Sequence, residues 1–157
     1  MADFHIKPLP AAVAADLFGL TEAELAARQA RLQIVTEKPG TPCRVSLEDA
    51  EVGETVVLVH HQHQPADSPY RASHAIFVRK DAKPAAVAVN AVPEVIRTRL
   101  ISLRFFDQHH FMVAADVLPG AAVGAAIAQA FDDATVAYGH LHYAKPGCFA
   151  AAVHRVA

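Results

Sequence analysis

The chain lacks several features that would assign it to a specialised class of protein. Its 157 residues contain no tryptophan, only two cysteines and no block rich in lysine or arginine. A general nucleic-acid-binding protein is therefore disfavoured, because such proteins need clustered positive charge to bind phosphates. Two cysteines are too few for a disulfide framework. No apolar run approaches the length that spans a membrane.

The remaining composition is typical of a globular protein. Hydrophobic residues make up 53% and charged residues 19%, and the formal net charge is -2. We expect a single domain over residues 1–157, since this length is that of one ordinary domain. No secretory signal is recognisable, because the apolar stretch at 11–20 is short, is interrupted by Asp16 and lacks a cationic lead-in. The expectation is a cytoplasmic protein with reduced thiols and no nucleic-acid or membrane partner; its oligomeric state stays open.

Helical spacing of apolar residues begins early in the chain. The pattern predicts one helix over residues 10–20 and a second over 21–32. Thr21 and Glu24 form a capping-box signature at the start of the second helix. The residues expected on the buried sides of these two helices are Val13, Leu17, Leu20, Leu25 and Leu32.

From residue 36 onward the patterns favour strands, with two more helices between them. The helices are expected at 93–100 and 120–133, the second with a buried stripe of Val123, Ile127 and Phe131. Because strands and helices do not alternate regularly, a doubly wound parallel sheet is disfavoured. We predict an α+β fold with a mainly antiparallel sheet, N-terminal helices and two further helices packed on it. The expected strands are 43–47, 54–63, 72–80, a hairpin around 107–110, 135–144 and 148–156.

Ten histidines are present, and they gather around two turns. A His-x-His pair in a strand points both imidazoles to one face, about 7 Å apart. The pairs are His61 with His63 and His140 with His142. His74 shares its strand face with Ile76 and Val78, so we expect it to face an apolar layer, where it needs a hydrogen-bond partner or a role.

One interpretation of these histidines is a transition-metal site. If their strands are neighbours, His63 and His140, together with His74 and His142, would supply imidazole ligands for a metal such as zinc. The chain has no His-Glu-x-x-His helix and no Cys-x-x-Cys pair. The alternative is that each histidine has a structural or surface role.

A second interpretation is a binding site for an anionic small molecule. Arg71, beside Tyr70, would bind a carboxylate or phosphate through its planar fork of donors. Lys145 would add positive charge beside a turn that contains Gly147, whose backbone N–H groups would favour an anion. The alternative for Arg71 is an ion pair with Asp67 that merely orders the loop.

Chemistry at this site would depend on titratable side chains. His74 or His142 would act as general acid or base, because imidazole titrates near neutral pH. Cys148 is a candidate ligand-binding residue and nucleophile, since a cysteine beside histidine and lysine tends to have a lowered pKa. Its alternative role is that of a small hydrophobic residue at the start of a strand. A disulfide between Cys43 and Cys148 would require their turns to meet, and the expected compartment disfavours it.

Three stretches resemble a bacterial family classed as domain of unknown function 1203. They are "EKPGTPCRVSLEDAEVGETVVLV" at 37–59, "HQPADSPYRASHAIFVRK" at 63–80 and "HLHYAKPGCFAAAV" at 140–153. The resemblance covers nearly the whole chain and implies a bacterial single-domain protein. It brings no activity and no catalytic residues. The sequence departs from the pattern at Tyr143, where the family pattern leads us to expect a polar amide.

These observations lead to two hypotheses about function. The first is a small-molecule enzyme or ligand-binding domain, with a polar site lined by histidine and arginine between the 64–74 and 140–148 segments. The alternative is a non-catalytic metal-binding or protein-interaction module with structural histidines. The sequence leaves open whether the protein is an enzyme.

Overall fold

The computed structural model describes residues 1–157 and shows an α+β fold with two antiparallel sheets and few helices. The predicted fold class is confirmed. The chain divides into two compact units, each described by itself below. The first comprises Met1–Lys7, His63–Ala72 and Ala86–Ala157, and the second comprises Pro8–Gln62 and Ser73–Ala85. None of the helices has the length and apolar character that crossing a membrane requires.

Eight strands and three short α-helices follow one another along the chain. The strands are β1 (Phe4–Lys7), β2 (Ala30–Ile34), β3 (Thr55–Gln64), β4 (Ala72–Arg79), β5 (Leu100–Phe106), β6 (Met112–Pro119), β7 (Tyr138–Tyr143) and β8 (Phe149–Arg155). The helices are α1 (Glu22–Ala27), α2 (Glu94–Arg97) and α3 (Val123–Ala130).

The first unit is built on a five-stranded sheet with the order β1-β8-β7-β5-β6. Each neighbouring pair is antiparallel. β5 and β6 form the hairpin expected around residues 107–110, with Leu100 opposite Pro119 at its open end. β7 and β8 are joined by a turn in which Gly147 has φ +81°, a left-handed conformation that glycine adopts without steric cost.

One face of this sheet is apolar and packs against α3. Leu103, Leu141 and Val153 lie on this face and are at most 1% exposed. The predicted stripe of α3 is confirmed, because Val123, Ile127 and Phe131 are all buried. The ring of Phe131 meets that of Phe105 edge to face, at 5.8 Å between centroids. Because side chains alternate along a strand, the polar side chains of these strands lie on the other face of the sheet.

Gly120 marks a close backbone approach between α2 and the turn that leads into α3. A Cβ atom at this position would lie 1.9 Å from the carbonyl oxygen of Ile96 and 2.7 Å from backbone atoms of Arg97. No side chain fits without moving backbone, so glycine is required here for packing rather than for its φ angle.

The second unit contains the sheet β2-β3-β4 and its own hydrophobic core. Leu17, Leu25, Val57 and Ile76 are among the buried residues of that core. The predicted capping box is confirmed: the Glu24 N–H donates to Thr21 Oγ1 at 3.2 Å, and the Thr21 N–H donates to the Glu24 carboxylate at 3.0 Å. The cap fixes where α1 begins.

The helix predicted over 21–32 is wrong in its second half. α1 ends at Ala27, and Gln29 has φ +53°, which stops the helix. The following residues form β2 and pair antiparallel with β3, so Leu32 is 37% exposed instead of buried. Strand pairing with β3 outweighs the helix propensity of this segment, since propensity is a weak preference that tertiary context overrides.

Three further boundaries differ from the sequence predictions. Residues 10–20 form two 3-10 turns instead of an α-helix, although Leu17 is buried as expected. Residues 43–47 form a turn with an isolated bridge between Cys43 and Phe77. The helix predicted at 93–100 has a single turn, because Leu100 pairs with Pro119 in the hairpin. β1 was not predicted, since four residues give too short a pattern.

Candidate functional site

The second face of the five-stranded sheet carries most of the polar side chains of the first unit. Tyr138, His140 and His142 alternate along β7 and so point to the same face. Direct cross-strand partners share a face, which adds Arg104 opposite His140 and His154 opposite Tyr138. We call these five residues the histidine face. The predicted His140–His142 pair therefore does point to one side of its strand.

His63 joins two of these histidines in a cluster of rings. Its ring centroid lies 4.8 Å from that of His142 and 6.1 Å from that of His140, and the latter two rings are 6.3 Å apart. Phe149 contacts all three rings, with centroid distances between 5.2 and 5.8 Å. The structure thus brings together three of the four histidines predicted to share a site.

Burial keeps the central imidazoles neutral. His140 is 6% exposed and His142 is 1% exposed. Burial is the main cause that lowers the pKa of each to about 3, and the charges of His63 and Arg104 lower both pKa values further. At neutral pH these side chains therefore act as hydrogen-bonding groups without a charge.

The hydrogen bond of His142 fixes its tautomer. Nδ1 lies 3.1 Å from the carbonyl oxygen of Gly147, which only accepts, so Nδ1 carries the proton. Nε2 is then an acceptor, and it is buried without a hydrogen-bond partner in the protein. Nδ1 of His140 is likewise buried without a hydrogen-bond partner. Native proteins rarely leave such atoms unsatisfied, so each of them needs an explanation.

Arg104 is the half-buried cation of this face, and sequence reasoning missed it; Lys7, opposite Ala152 on β8, is an exposed cation of the same face. The Nε of Arg104 donates to Ser102 Oγ at 3.2 Å, and its side chain takes part in none of the ion pairs of the structure. Burial alone lowers the pKa of Arg104. Its position could have been predicted from the sequence, because Arg104 lies between Leu103 and Phe105 in a strand. It therefore points to the face opposite these two core residues.

An open cleft of ≈ 500 Å³ lies against this face. The rings of Tyr138 and His154 line it and stack at 6.1 Å between centroids, and Tyr138 also stacks on the buried Phe106 at 5.2 Å. The Tyr138 hydroxyl is held at 2.8 Å from both Gln64 Nε2 and His110 Nδ1. The residues that line the cleft are His63, Gln64, Pro65, Ala66, His110, Tyr138, His140 and His154.

The other predicted ligand-binding residues have different surroundings. Arg71 and Lys145 are exposed, and Arg71 forms no ion pair with Asp67. Tyr70 is half-buried, and its ring meets those of Phe106 and Phe111 at 6.0 and 5.9 Å. Their roles in binding stay predictions.

The two cysteines are buried and are not joined by a disulfide bond. Cys148 is 7% exposed and Cys43 is 0% exposed. The burial of Cys148 beside the start of β8 fits its interpretation as a small hydrophobic residue. A nucleophilic role for it stays a prediction.

His74 belongs to the second unit and is exposed at the beginning of β4. The expectation that it faces an apolar layer is wrong, although Ile76 and Val78 on the same strand are buried. The reason is its position two residues from the end of the strand, where its Nδ1 lies 3.1 Å from the carbonyl oxygen of Ala75. His61 also lies in the second unit, where burial lowers its pKa.

As the side chains are placed, the structure contains no group of three or more histidine, cysteine, aspartate or glutamate side chains that could hold a metal ion. A metal site at His63, His140 and His142 with His74 stays a prediction.

Tyr143, the departure from the family pattern, lies on the apolar side of β7. It follows His142 in the strand, so its side chain points to the opposite face, and it is 3% exposed. The guanidinium of Arg99 lies 5.3 Å from its ring centroid. Tyr143 thus does not take part in the histidine face.

Fold and site together define a small α+β protein with buried neutral histidines beside an open aromatic cleft. The chain belongs to the family described as protein of unknown function (DUF1203), whose family model matches residues 40–155. The resemblance found in the sequence is therefore confirmed. No curated protein and no solved structure matches the chain.

Proposed function

We propose that this protein binds a small planar anion at the histidine face. The observation that carries the proposal is the half-buried Arg104, without a carboxylate partner, beside two buried neutral imidazoles, each of which has one ring nitrogen without a protein hydrogen bond. An anionic ligand would compensate the charge of Arg104.

Electrostatics favours an anion over a neutral or cationic ligand. A buried charge is costly unless it is paired and hydrogen-bonded, and Arg104 donates only to Ser102. A guanidinium binds carboxylate or phosphate through two parallel hydrogen bonds. His140 and His142 bear no charge at neutral pH, so the positive charge beside them comes from Arg104, which lies directly opposite His140.

Two features narrow the chemistry of the ligand further. Nδ1 of His140, a residue that lines the cleft, has no hydrogen-bond partner in the protein, which favours a ligand with a polar group such as a hydroxyl. The rings of Tyr138 and His154, which also line the cleft, favour a flat, partly apolar body, because aromatic rings bind other planar groups by stacking. We therefore infer an aromatic or heteroaromatic acid that carries a hydroxyl or amino group.

The test compares two matched small molecules. 4-Hydroxybenzoate has the inferred chemistry, and 4-hydroxybenzamide has the same shape without the charge. At about 20 mM, a ligand with a dissociation constant of about 1 mM stabilises the folded state by about 1.8 kcal/mol. We expect 4-hydroxybenzoate to raise the melting temperature clearly and 4-hydroxybenzamide to raise it much less.

Two arginine variants test which arginine binds the anion. Arg104→Gln should abolish the stabilisation by 4-hydroxybenzoate, whereas Arg71→Gln, at the exposed arginine of the same unit, should leave it unchanged. The proposal is wrong if 4-hydroxybenzoate stabilises the Arg104→Gln protein as much as the wild type. It is also wrong if neither 4-hydroxybenzoate nor inorganic phosphate stabilises the wild type.

A further inference from the structure

The hydroxyl of Tyr138 is held by two partners at the edge of the cleft. Gln64 Oε1 accepts from the Ala66 N–H at 3.3 Å, which fixes the orientation of the amide, so Gln64 Nε2 donates to Tyr138 Oη at 2.8 Å. The other partner of the hydroxyl is His110 Nδ1, also at 2.8 Å. In the His110 tautomer that carries its proton at Nε2, Nδ1 accepts the phenol proton.

The carboxylate of Asp107 lies in the same turn as His110. It accepts the N–H groups of His109 at 2.8 Å and Phe111 at 3.0 Å, and the hydrogen bond from Phe111 is the main cause that lowers the pKa of Asp107. Charges on His109 and His110 lower the pKa of Asp107 as well, so the carboxylate interacts electrostatically with both side chains. Asp107, His109 and Tyr138 are titratable groups near His110.

Tyr138 and His110 provide a path for a proton from the cleft to solvent. Tyr138 and His110 both line the cleft, and the His110 side chain is exposed. Burial raises the pKa of Tyr138, so the phenol stays protonated at neutral pH. A proton that reaches His110 has a direct route to solvent.

We propose that Tyr138, His110 and Asp107 form a proton relay that lets Tyr138 remove a proton from a molecule bound in the cleft. The proton of the bound molecule moves to Tyr138 Oη while the phenol proton moves to His110 Nδ1. His110 becomes an imidazolium beside Asp107 and releases its Nε2 proton to water. The bound molecule keeps the electron pair of the broken bond, and no oxidant or further reactant is needed.

This inference rests on the proposed binding function and names its reaction class, which is proton abstraction. Arg104 lies on the same face, opposite His140 in the neighbouring strand, and in this relay its positive charge would favour the negative charge that develops on the bound molecule.

The test uses 5-nitrobenzisoxazole, a flat neutral molecule whose ring opens when a base removes its C–H proton. The N–O bond breaks, the electron pair goes to oxygen, and the coloured nitrophenolate reports the rate. We expect wild-type protein to accelerate the reaction over buffer, and Tyr138→Phe to lower this rate by about 100-fold or more, the usual contribution of a positioned acid or base. His110→Gln should lower it by about 10-fold or more and flatten its pH dependence. Gln108→Ala, in the same turn, should leave it unchanged.

Two results would overturn the relay. One is a wild-type rate no higher than that of buffer, and the other is a Tyr138→Phe rate equal to wild type. Binding of 4-hydroxybenzoate, measured on the same samples, separates this failure from failure of the binding function. A second measurement needs no variant: nitrogen NMR of the wild type should show His110 protonated at Nε2 at neutral pH. A proton at Nδ1 would contradict the relay.

Discussion

The buried pair His140 and His142 makes the stability of the fold depend on pH. Both are almost fully buried and have a pKa of about 3 in the folded state. An unfolded histidine has a pKa near 6.5, so the unfolded chain binds more protons than the folded chain between pH 6.5 and 3. Stability is therefore fully present above pH 6.5 and falls as the pH decreases through this window.

The size of the effect follows from the two pKa values. At pH 5 an unfolded histidine with pKa 6.5 gains about 2 kcal/mol from protonation, and a folded one with a pKa of about 3 gains almost nothing. Two such histidines give a loss of about 4 kcal/mol between pH 7.5 and pH 5. This is a large share of the roughly 5–15 kcal/mol that stabilises a typical domain.

Urea unfolding at pH 7.5 and pH 5 measures the loss, since the free energy of unfolding falls linearly with denaturant. This window lies above the ordinary pKa of carboxyl groups, so histidines dominate the change. His142→Gln removes one of the two buried ionisable groups, and the loss should shrink by about 2 kcal/mol. His60→Gln, at an exposed histidine, is the control and should retain the wild-type loss.

The reasoning fails if wild-type protein loses less than about 1 kcal/mol between the two pH values, which is half of what one buried histidine should cost. It also fails if His142→Gln and His60→Gln show the same loss as wild type. In either case the two imidazoles would have to be hydrated or protonated in the folded state, and their proposed role as neutral hydrogen-bonding groups would be lost as well.

Three substitutions test the packing that supports the site. Gly120→Ala should cost about 3 kcal/mol or more, because its Cβ would overlap the backbone of α2, while Gly19→Ala meets no atom within 4 Å and should be nearly neutral by thermal denaturation. Ile127→Ala should cost about 2–5 kcal/mol in urea unfolding, whereas Gln129→Ala on the exposed side of α3 should change stability by less than about 0.5 kcal/mol. Thr21→Ala removes half of the capping box and should cost about 1 kcal/mol; an unchanged melting temperature would contradict the role of the cap.

Local signals in the sequence predicted the elements that carry their own patterns. The hairpin of β5 and β6, the closing pair of β7 and β8, and the buried stripe of α3 all follow from periodicity and turn residues. The capping box of Thr21 predicted the start of α1 but not its end. Its end depends on strand pairing with β3, which is a contact between distant parts of the chain.

Only some of the residues of the site could be predicted from the sequence. His-x-His in β7 predicted that His140 and His142 share a face, because alternation is a local property of strands. Arg71 was preferred as the cation because it lies beside a histidine-rich loop in sequence, yet Arg104 is the arginine beside His140, one strand away. The register between β5 and β7 decides which arginine lies beside His140, and register depends on the whole sheet.

The sequence by itself determined the fold class, the family, the strands that carry the histidines and the side to which the β7 pair points. Each of these depends on residue identity and spacing within one segment. Only the tertiary structure decided that His63 meets His140 and His142, that Arg104 lacks a carboxylate, and that Tyr138 lies between Gln64 and His110. These are contacts between residues far apart in the chain, and burial, hydrogen bonding and charge act through them.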